Sequence, residues 1–577
     1  MKMINKPDKK KIRLIWRISF WFLGILFIIL ATLFSIGYFY YSRIIKSYLI
    51  ETVIRQSNGL YRAEIGNLYL NVLAGNLTIR RFALIPDTAL YQRKVKTEAL
   101  SPMMIHLTID EFKVRNFRIL EAIQHRRIDV ARFHFISPSV TIFRMKASAM
   151  AKEDKPSHQL MAIPLPPGWS SISIREVFLD QGKIDFVDCS GDSVLRYGVP
   201  SCSVVIKNIL VDSVHSGMRR LFNSDDIAVK LNGISLKTPN GMNRLSFAEI
   251  GLSTGNNEIY IRGFHLEPLF NTHDYTRKLG YQTDRLDILI PLLRLHRSDL
   301  RSLILGGKMV AGQLEIMGMV LNDFRDKRIP PRPGYKPPMP QDGLRKLKNY
   351  LRIDTVILRD GKATYAEQVG SEPGIIFFDK MNGTLTGLTN DSVLLHAGLI
   401  SELKATAWLM GKGKMDATMR IKFGDLRNAF TFSALIGPID LREINPMLSK
   451  LLPAEVKSGK IKRLVVPEFR ANDDVAAGKL LFYYNDLSIN LLNQKETAWS
   501  KVKTGVINFV ANDIVVNNDN PTSTGKMKTG VIYFQRDKSK GIINFIWKSM
   551  LSGLKSTMGF NNKAQKELKK REKRAKK

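Results

Sequence analysis

Cysteine is nearly absent from this chain: its 577 residues include two, Cys189 and Cys202. They stand thirteen residues apart with no nearby pair of histidines, so no zinc-finger spacing is present. The stretch between them is polar and contains glycine, so in an oxidising compartment the pair could close a hairpin. Two free thiols fit equally well, because a bridge needs a Cα separation that spacing does not supply. Histidine is sparse, and the nine are scattered, with no HExxH and no pair at i, i+4. No CxxC, GxSxG elbow or GxxxxGK[ST] phosphate loop occurs, and Gly411-Lys412-Gly413-Lys414 has the wrong spacing for one. The acidic pairs Asp225-Asp226 and Asp473-Asp474 read as solvated turn residues. The chain therefore reads as a non-enzyme that needs neither cofactor nor metal.

Long apolar runs are also lacking, with one exception. The uncharged run 18–42 exceeds the roughly 20 residues needed to cross a hydrocarbon core. Trp16 and Trp21 stand near one end and Tyr38, Tyr40 and Tyr41 near the other, as interfacial aromatics do. A cleaved signal peptide would have a shorter core ending in small residues, whereas this run ends in bulky aromatics. A transmembrane anchor is expected over 14–41. The basic tail 1–13 carries Lys2, Lys6, Lys9, Lys10, Lys11 and Arg13 against Asp8 alone, which by the positive-inside rule is the cytoplasmic side. A single pass then exports everything that follows.

Acidic residues are outnumbered: 88 Lys and Arg against 52 Asp and Glu leave a net charge of +36. Such a field attracts phosphates, and in an exported body lipid headgroups are the expected source rather than nucleic acid. No RNA-recognition motif or zinc-finger spacing supports nucleic acid.

After a helical stretch near 43–56, short alternating segments rich in Ile, Val, Leu and Phe dominate, which predicts half-buried antiparallel strands. Pro-rich breaks at 163–168 and 330–340 read as loops. Three segments recur. LTIRRFALIP (Leu77 to Pro86) returns as IYIRGFHLEP (Ile259 to Pro268), an offset of 182. Arg127 to Arg144 pairs with Lys308 to Arg325 at 181, and Ile174 to Phe186 pairs with Ile353 to Tyr365 at 179. Three ordered matches at a nearly constant offset predict a duplicated β unit of roughly 180 residues, built on the stacking logic of repeat proteins. The expected organisation is a first repeat over 42–240, a second over 241–415, a further β module over 416–541, and an amphipathic helix with a basic tail over 542–577.

That final helix presents Ile543, Ile546, Trp547, Met550, Leu551 and Leu554 on one face, with Lys548, Ser552 and Lys555 opposite. It could lie on an anionic membrane surface, or it could cap the open end of the sheet. The strands pose a parallel choice. An apolar sheet face left unsealed would be a groove for acyl chains; a sealed one would be an ordinary core.

The anchor, the helix ending at Gly59, the segment IGNLYLNVLAGNLTIRRFALIPD (Ile65 to Asp87), the paired strands at 181–186 and 360–365, and the stretch from Gly437-Pro438 through Asn445-Pro446 and Ser458-Gly459 to Tyr484-Asn485-Asp486-Leu487 together resemble the AsmA-like family, related to TamB-type repeating β-groove proteins. The resemblance implies a mainly β fold: an anchor followed by an elongated antiparallel β-sheet groove with few short helices. It also implies residence in the inner membrane of a Gram-negative bacterium with the bulk periplasmic, and a role in outer-membrane biogenesis through binding or moving phospholipids. The competing expectation is a scaffold that binds envelope proteins through exposed strand edges.

Overall fold

A computed structural model describes residues 43–95, 103–145, 168–191, 194–212, 223–451, 454–491 and 518–558. The expected anchor with Trp16, Trp21, Tyr38, Tyr40 and Tyr41, and the basic tail beyond 562, lie outside them. No helix among the described residues is long and apolar enough to cross a membrane. The protein is mainly β. It divides into two compact units, residues 1–229 and 230–577.

In the first unit, helix α1 (43–56) leads into β1 (Tyr61–Asn71) and β2 (Asn76–Pro86). Helix α2 (Thr88–Lys94), capped by Asp87, connects to β3 (Met103–Phe117). Helix α3 (Ile119–His125) precedes β4 (Arg127–Ile136) and β5 (Ser139–Arg144), and β6 (Ser171–Asp188) and β7 (Leu195–Asp212) follow. Strands β1, β2 and β3 pair in antiparallel order, and β3 then pairs with both β4 and β5. Strand β6 lies parallel to β4 and β5 and antiparallel to β7. The sheet is mostly antiparallel, as expected, and departs from that expectation here. A chain returning through the long connection 145–170 can lay its next strand parallel, which a tight hairpin cannot do.

The second unit begins within β8 (Asp226–Lys237) and repeats this plan. Strands β9 (Asn243–Ser253), β10 (Glu258–Pro268) and β11 (Asp284–Ser298) pair antiparallel, with α4 (Thr272–Leu279) between the last two. Helix α5 (Leu300–Gly306) precedes β12 (Met309–Met317) and β13 (Val320–Asp326), which lie end to end along one edge of β11 and run parallel to β14 (Leu351–Gln368). The parallel crossover is again a long connection, 327–350, holding the proline-rich loop and α6 (Pro340–Arg345). Strand β15 (Pro373–Thr389) completes the copy.

From there the sheet continues without a break at 415. Helix α7 (Ser392–His396) is followed by the hairpin of β16 (Ser401–Leu409) and β17 (Gly413–Ile421), which spans that position. Strands β18 (Phe430–Ile436) and β19 (Ile439–Asp440) pair with β20 (Ala454–Ala471), then β21 (Val475–Leu491) and β22 (Thr529–Gln535) follow in antiparallel order. Helices α8 (Asn445–Leu451) and α9 (Ile542–Met558) pack on these strands. The large core sits here, with Leu480, Ile532 and Ala476 wholly inaccessible and Phe469, Tyr484 and Phe545 nearly so.

Both units carry the same backbone irregularities. One line crosses the first unit at Gly66, Arg81, Asp110, Ser137 and Gln181, where the ladders skip a pairing or the strand breaks. Its counterpart in the second unit runs through Ala248, Gly263, Pro291, Gly318 and Asp360. A second line passes Asn116, Ala131, Arg175 and Asn208, and its counterpart passes Arg297, Gly312, Asp354 and Gly387. Arg81, Asn116, Ser137, Gln181 and Asn208 have positive φ, as do Gly263, Arg297, Gly318, Asp360 and Gly387. A left-handed residue cannot continue the pleat, so each line is a transverse crease.

At the first crease two strands come so close that one position must lack a side chain. A Cβ on Gly66 would stand 2.8 Å from the Arg80 carbonyl and 3.1 Å from the Arg81 Cβ; in the second unit a Cβ on Gly263 would stand 2.8 Å from the Ala248 Cβ. One unit puts glycine on the first strand, the other on the second. Gly66→Ala is expected to cost about 1–3 kcal/mol by overpacking. Adding Arg81→Gly, which recreates the Ala–Gly pair of the other unit and removes the Arg81 side chain from the contact, should recover part of that loss. Denaturant melts of the single and double variants test this, and a double variant no more stable than Gly66→Ala would refute it.

Candidate apolar groove

The creases matter because of what they do to side-chain alternation. Along a regular strand one face is lined at every second residue. At the first crease the apolar residues step by three instead: Ile65 to Leu68, Phe82 to Ile79 and Ile109 to Phe112. At the second they step by three again, from Val114 to Phe117, Phe133 to Val130, Val177 to Ile174 and Ile206 to Ile209. The second unit repeats the slip at Ile261 to Phe264 and Leu293 to Ile290, then at Leu314 to Ala311, Val356 to Ile353 and Leu385 to Leu388. A left-handed residue reverses which face the next side chain takes. A slip shared by every strand therefore keeps one continuous apolar face through each bend.

That face is sealed in some places and open in others. In the first unit α1 covers its beginning, where Ile45 and Ile50 pack on Ile65, Leu68 and Ile79. Further along, Phe133, Phe135, Val177, Leu179, Val204 and Ile206 are only half-buried. Phe112 stacks on Phe135 at 4.7 Å, so these side chains shield one another rather than a second layer. Leu293, Leu295, Leu314, Ile316, Val356, Leu358 and Leu385 are equally half-buried in the second unit. The opposite face is held by the ion pairs of Arg132 with Glu176 and Arg359 with Glu315, each at 2.7 Å, and by a hydrogen bond between His134 and Asp180 at 2.7 Å. The Arg359 guanidinium hydrogen-bonded to Glu315 lowers that carboxyl's pKa.

The open track in the second unit ends in a polar plug. Beyond Leu321 and Ala363 the same face carries Asp323, Arg325, Tyr365 and Glu367. Lys327 Nζ lies 2.6 Å from Glu367, Tyr365 donates to Glu367 at 2.6 Å, and Arg325 reaches Asp284 at 2.6 Å. Burial, with Asp284 nearby, pushes Asp323 up to about 7, and burial likewise raises Tyr365. The first unit has Ile142 and Phe186 where the second has Asp323 and Tyr365.

The expected final helix is present as α9, but a different side of it is buried. Ser549, Ser552, Gly553, Ser556 and Thr557 face the sheet together with Phe545, Met550 and Met558. Ser552, expected on the polar side, accepts from the Tyr533 amide at 3.1 Å, and Ser556 accepts from Val531 at 3.2 Å. Small residues let the helix axis approach β22, so their hydroxyls occupy main-chain amides of that strand. Ile546 and Leu554 pack at the border of the core and Leu551 is half-buried, whereas Ile543 and Trp547 remain exposed.

The two cysteines are unbonded. Cys202 faces Gly182 across β6 and β7, while Cys189 lies past the end of β6. Seven residues of strand separate those levels, roughly 23 Å at the usual rise, far beyond the ~7 Å limit for a bridge. Burial raises the Cys202 thiol. Among the described residues no three His, Cys, Asp or Glu side chains are grouped to hold a metal. The sequence matches no protein-family model and no curated protein.

Proposed function

We propose that the creased apolar faces hold lipid acyl chains, and that the protein handles phospholipid as an anchored, periplasmic component of envelope biogenesis. The observation that supports this is the shared three-residue slip. It preserves an apolar surface through every bend in both units and yet leaves that surface half open. A contiguous apolar surface left half open in this way marks an interaction site in soluble proteins. Burial of chains against it is non-directional, so it requires no cofactor and little headgroup selectivity. The scaffold alternative relies on open strand edges, and α9 already occupies amides of β22.

A photo-crosslinking amino acid placed at Phe135 or Leu179 in the full chain should yield phospholipid adducts, and one at Lys113 or Glu176 on the opposite face should not. Phe135→Glu should lower the adduct yield at Leu179 at least about tenfold, because a carboxylate set against acyl chains costs more than ~1.4 kcal/mol. Protein adducts at Phe135 and Leu179, or none, would refute the lipid reading.

A further inference from the structure

The duplication supplies an internal control: wherever the fold is repeated but the residues differ, the difference is not demanded by the fold. At one end of the first unit the β1–β2 turn and α3 project side by side. The Phe117 amide donates to the Gly75 carbonyl at 2.8 Å, and the Asn116 amide donates to Asn76 Oδ1 at 3.1 Å, so the turn is fastened to the strand end that leads into α3. Four aliphatic side chains stand out from this corner: Val72, Leu73, Leu120 and Ile123, exposed by 50%, 92%, 70% and 73%. At the matching places the second unit has Thr254, Gly255 and Arg301, with Ile304 alone retained.

Cations surround the same corner. A shallow cavity of about 580 Å³ at the second crease is lined by Arg115, Arg132, Arg175 and Lys207, with Glu176 as its one acid. Arg132 is paired with Glu176, while Arg115, Arg175 and Lys207 form no ion pair with any described carboxylate. Arg126 and Arg127 follow α3 directly. The second unit keeps the crease but replaces Arg115, Arg175 and Lys207 by His296, Asp354 and Thr386. Three of the four projecting aliphatics and all three unpaired cations therefore occur together in one unit and are replaced together in the other.

We propose that this corner of the first unit docks on an anionic phospholipid surface, with Val72, Leu73, Leu120 and Ile123 entering the acyl boundary and Arg115, Arg175 and Lys207 taking headgroup phosphates. Charge complementarity selects the occupant. A lipid surface meets both halves of the site at once, with phosphates directly above acyl chains, whereas a protein partner would have to set acidic side chains beside apolar ones in the same layered order. The inference is independent of the acyl groove, which lies on the other side of the creased strands.

The test uses the full-length chain in vesicles of phosphatidylcholine alone or mixed with phosphatidylglycerol, with a photo-crosslinking residue at Leu73 or Leu120. Lipid adducts are expected at both positions in the mixed vesicles, several-fold fewer in phosphatidylcholine alone, and none at Thr254 or Arg301. Arg175→Gln and Lys207→Gln should each reduce the yield about fivefold, the worth of one cation near an anionic surface. Protein adducts at Leu73 and Leu120, or equal yields in both vesicles, overturn the proposal. An absence of adducts there while Phe135 still captures lipid overturns the docking surface and leaves the groove standing.

Discussion

Replacing Gly553 with leucine should pull α9 off the sheet and make the protein aggregate on mild heating. A Cβ at Gly553 would stand 2.3 Å from Leu480 Cδ2 and 2.8 Å from Ile532, both at the centre of the large core and wholly inaccessible. No rotamer of leucine escapes that contact, so the helix must move. Overpacking of this kind costs about 3 kcal/mol or more. The consequence exceeds local strain, because Ser552 and Ser556 move with the helix. The Tyr533 and Val531 amides then lose their acceptors, and β22 becomes an open edge able to pair with another chain. Thermal melts followed by light scattering should show a lower transition and an earlier onset of scattering. The double variant Ser552→Ala, Ser556→Ala separates the two causes. It keeps the packing but orphans two amides, at about 1–3 kcal/mol each. If Gly553→Leu melts like the native chain, α9 does not seat against β21 and β22 as described.

How much of this was readable beforehand depended on whether the signal was local. The duplication was legible because strands at 77–86 and 259–268 keep both length and alternation. The creases were written in the sequence as well, as apolar steps of three within several strands; a single such step resembles noise beside the period of two. Only the pairing shows that Ile65–Leu68, Phe82–Ile79 and Ile109–Phe112 slip at the same level. The parallel placement of β6 and β14 was not legible, since strand direction is fixed by connections at 145–170 and 327–350 rather than by residues in the strands. The buried face of α9 was misjudged for a physical reason. A hydrophobicity pattern ranks serine and glycine as outward-facing, yet close approach to a strand favours small residues that can also accept amide hydrogen bonds. The state of Cys189 and Cys202 was open in the sequence for a simpler reason, because a shared hairpin does not place two residues at the same level.

The buried acid at the end of the second unit's groove should make stability fall with rising pH. Asp323 is raised to about 7 by burial first and by the neighbouring Asp284 second, while Arg325 opposes the shift. In the unfolded chain an aspartate titrates near its ordinary value, about 3.9. Between these two values the folded state binds the extra proton, so the contribution of Asp323 to stability is full below about pH 4, declines as pH rises, and levels off above about pH 7. The decline is of order 4 kcal/mol, taking ~1.4 kcal/mol for each unit of separation. Asp323→Ile installs the residue type that the first unit carries at the matching place, Ile142. It should abolish that slope and leave the protein more stable than the native chain at pH 8, with little gain at pH 4. The Arg325 charge is not orphaned by the change, because Asp284 stays bound to it at 2.6 Å. Denaturant midpoints of the two proteins from pH 4 to 8 decide the matter, and parallel curves would show that Asp323 is ionised at no cost. The same variant extends the apolar track by one position, so it should lengthen the stretch that captures acyl chains. An acid retained at such a cost in the second unit, and absent from the first, marks where the open groove stops and the sealed core begins.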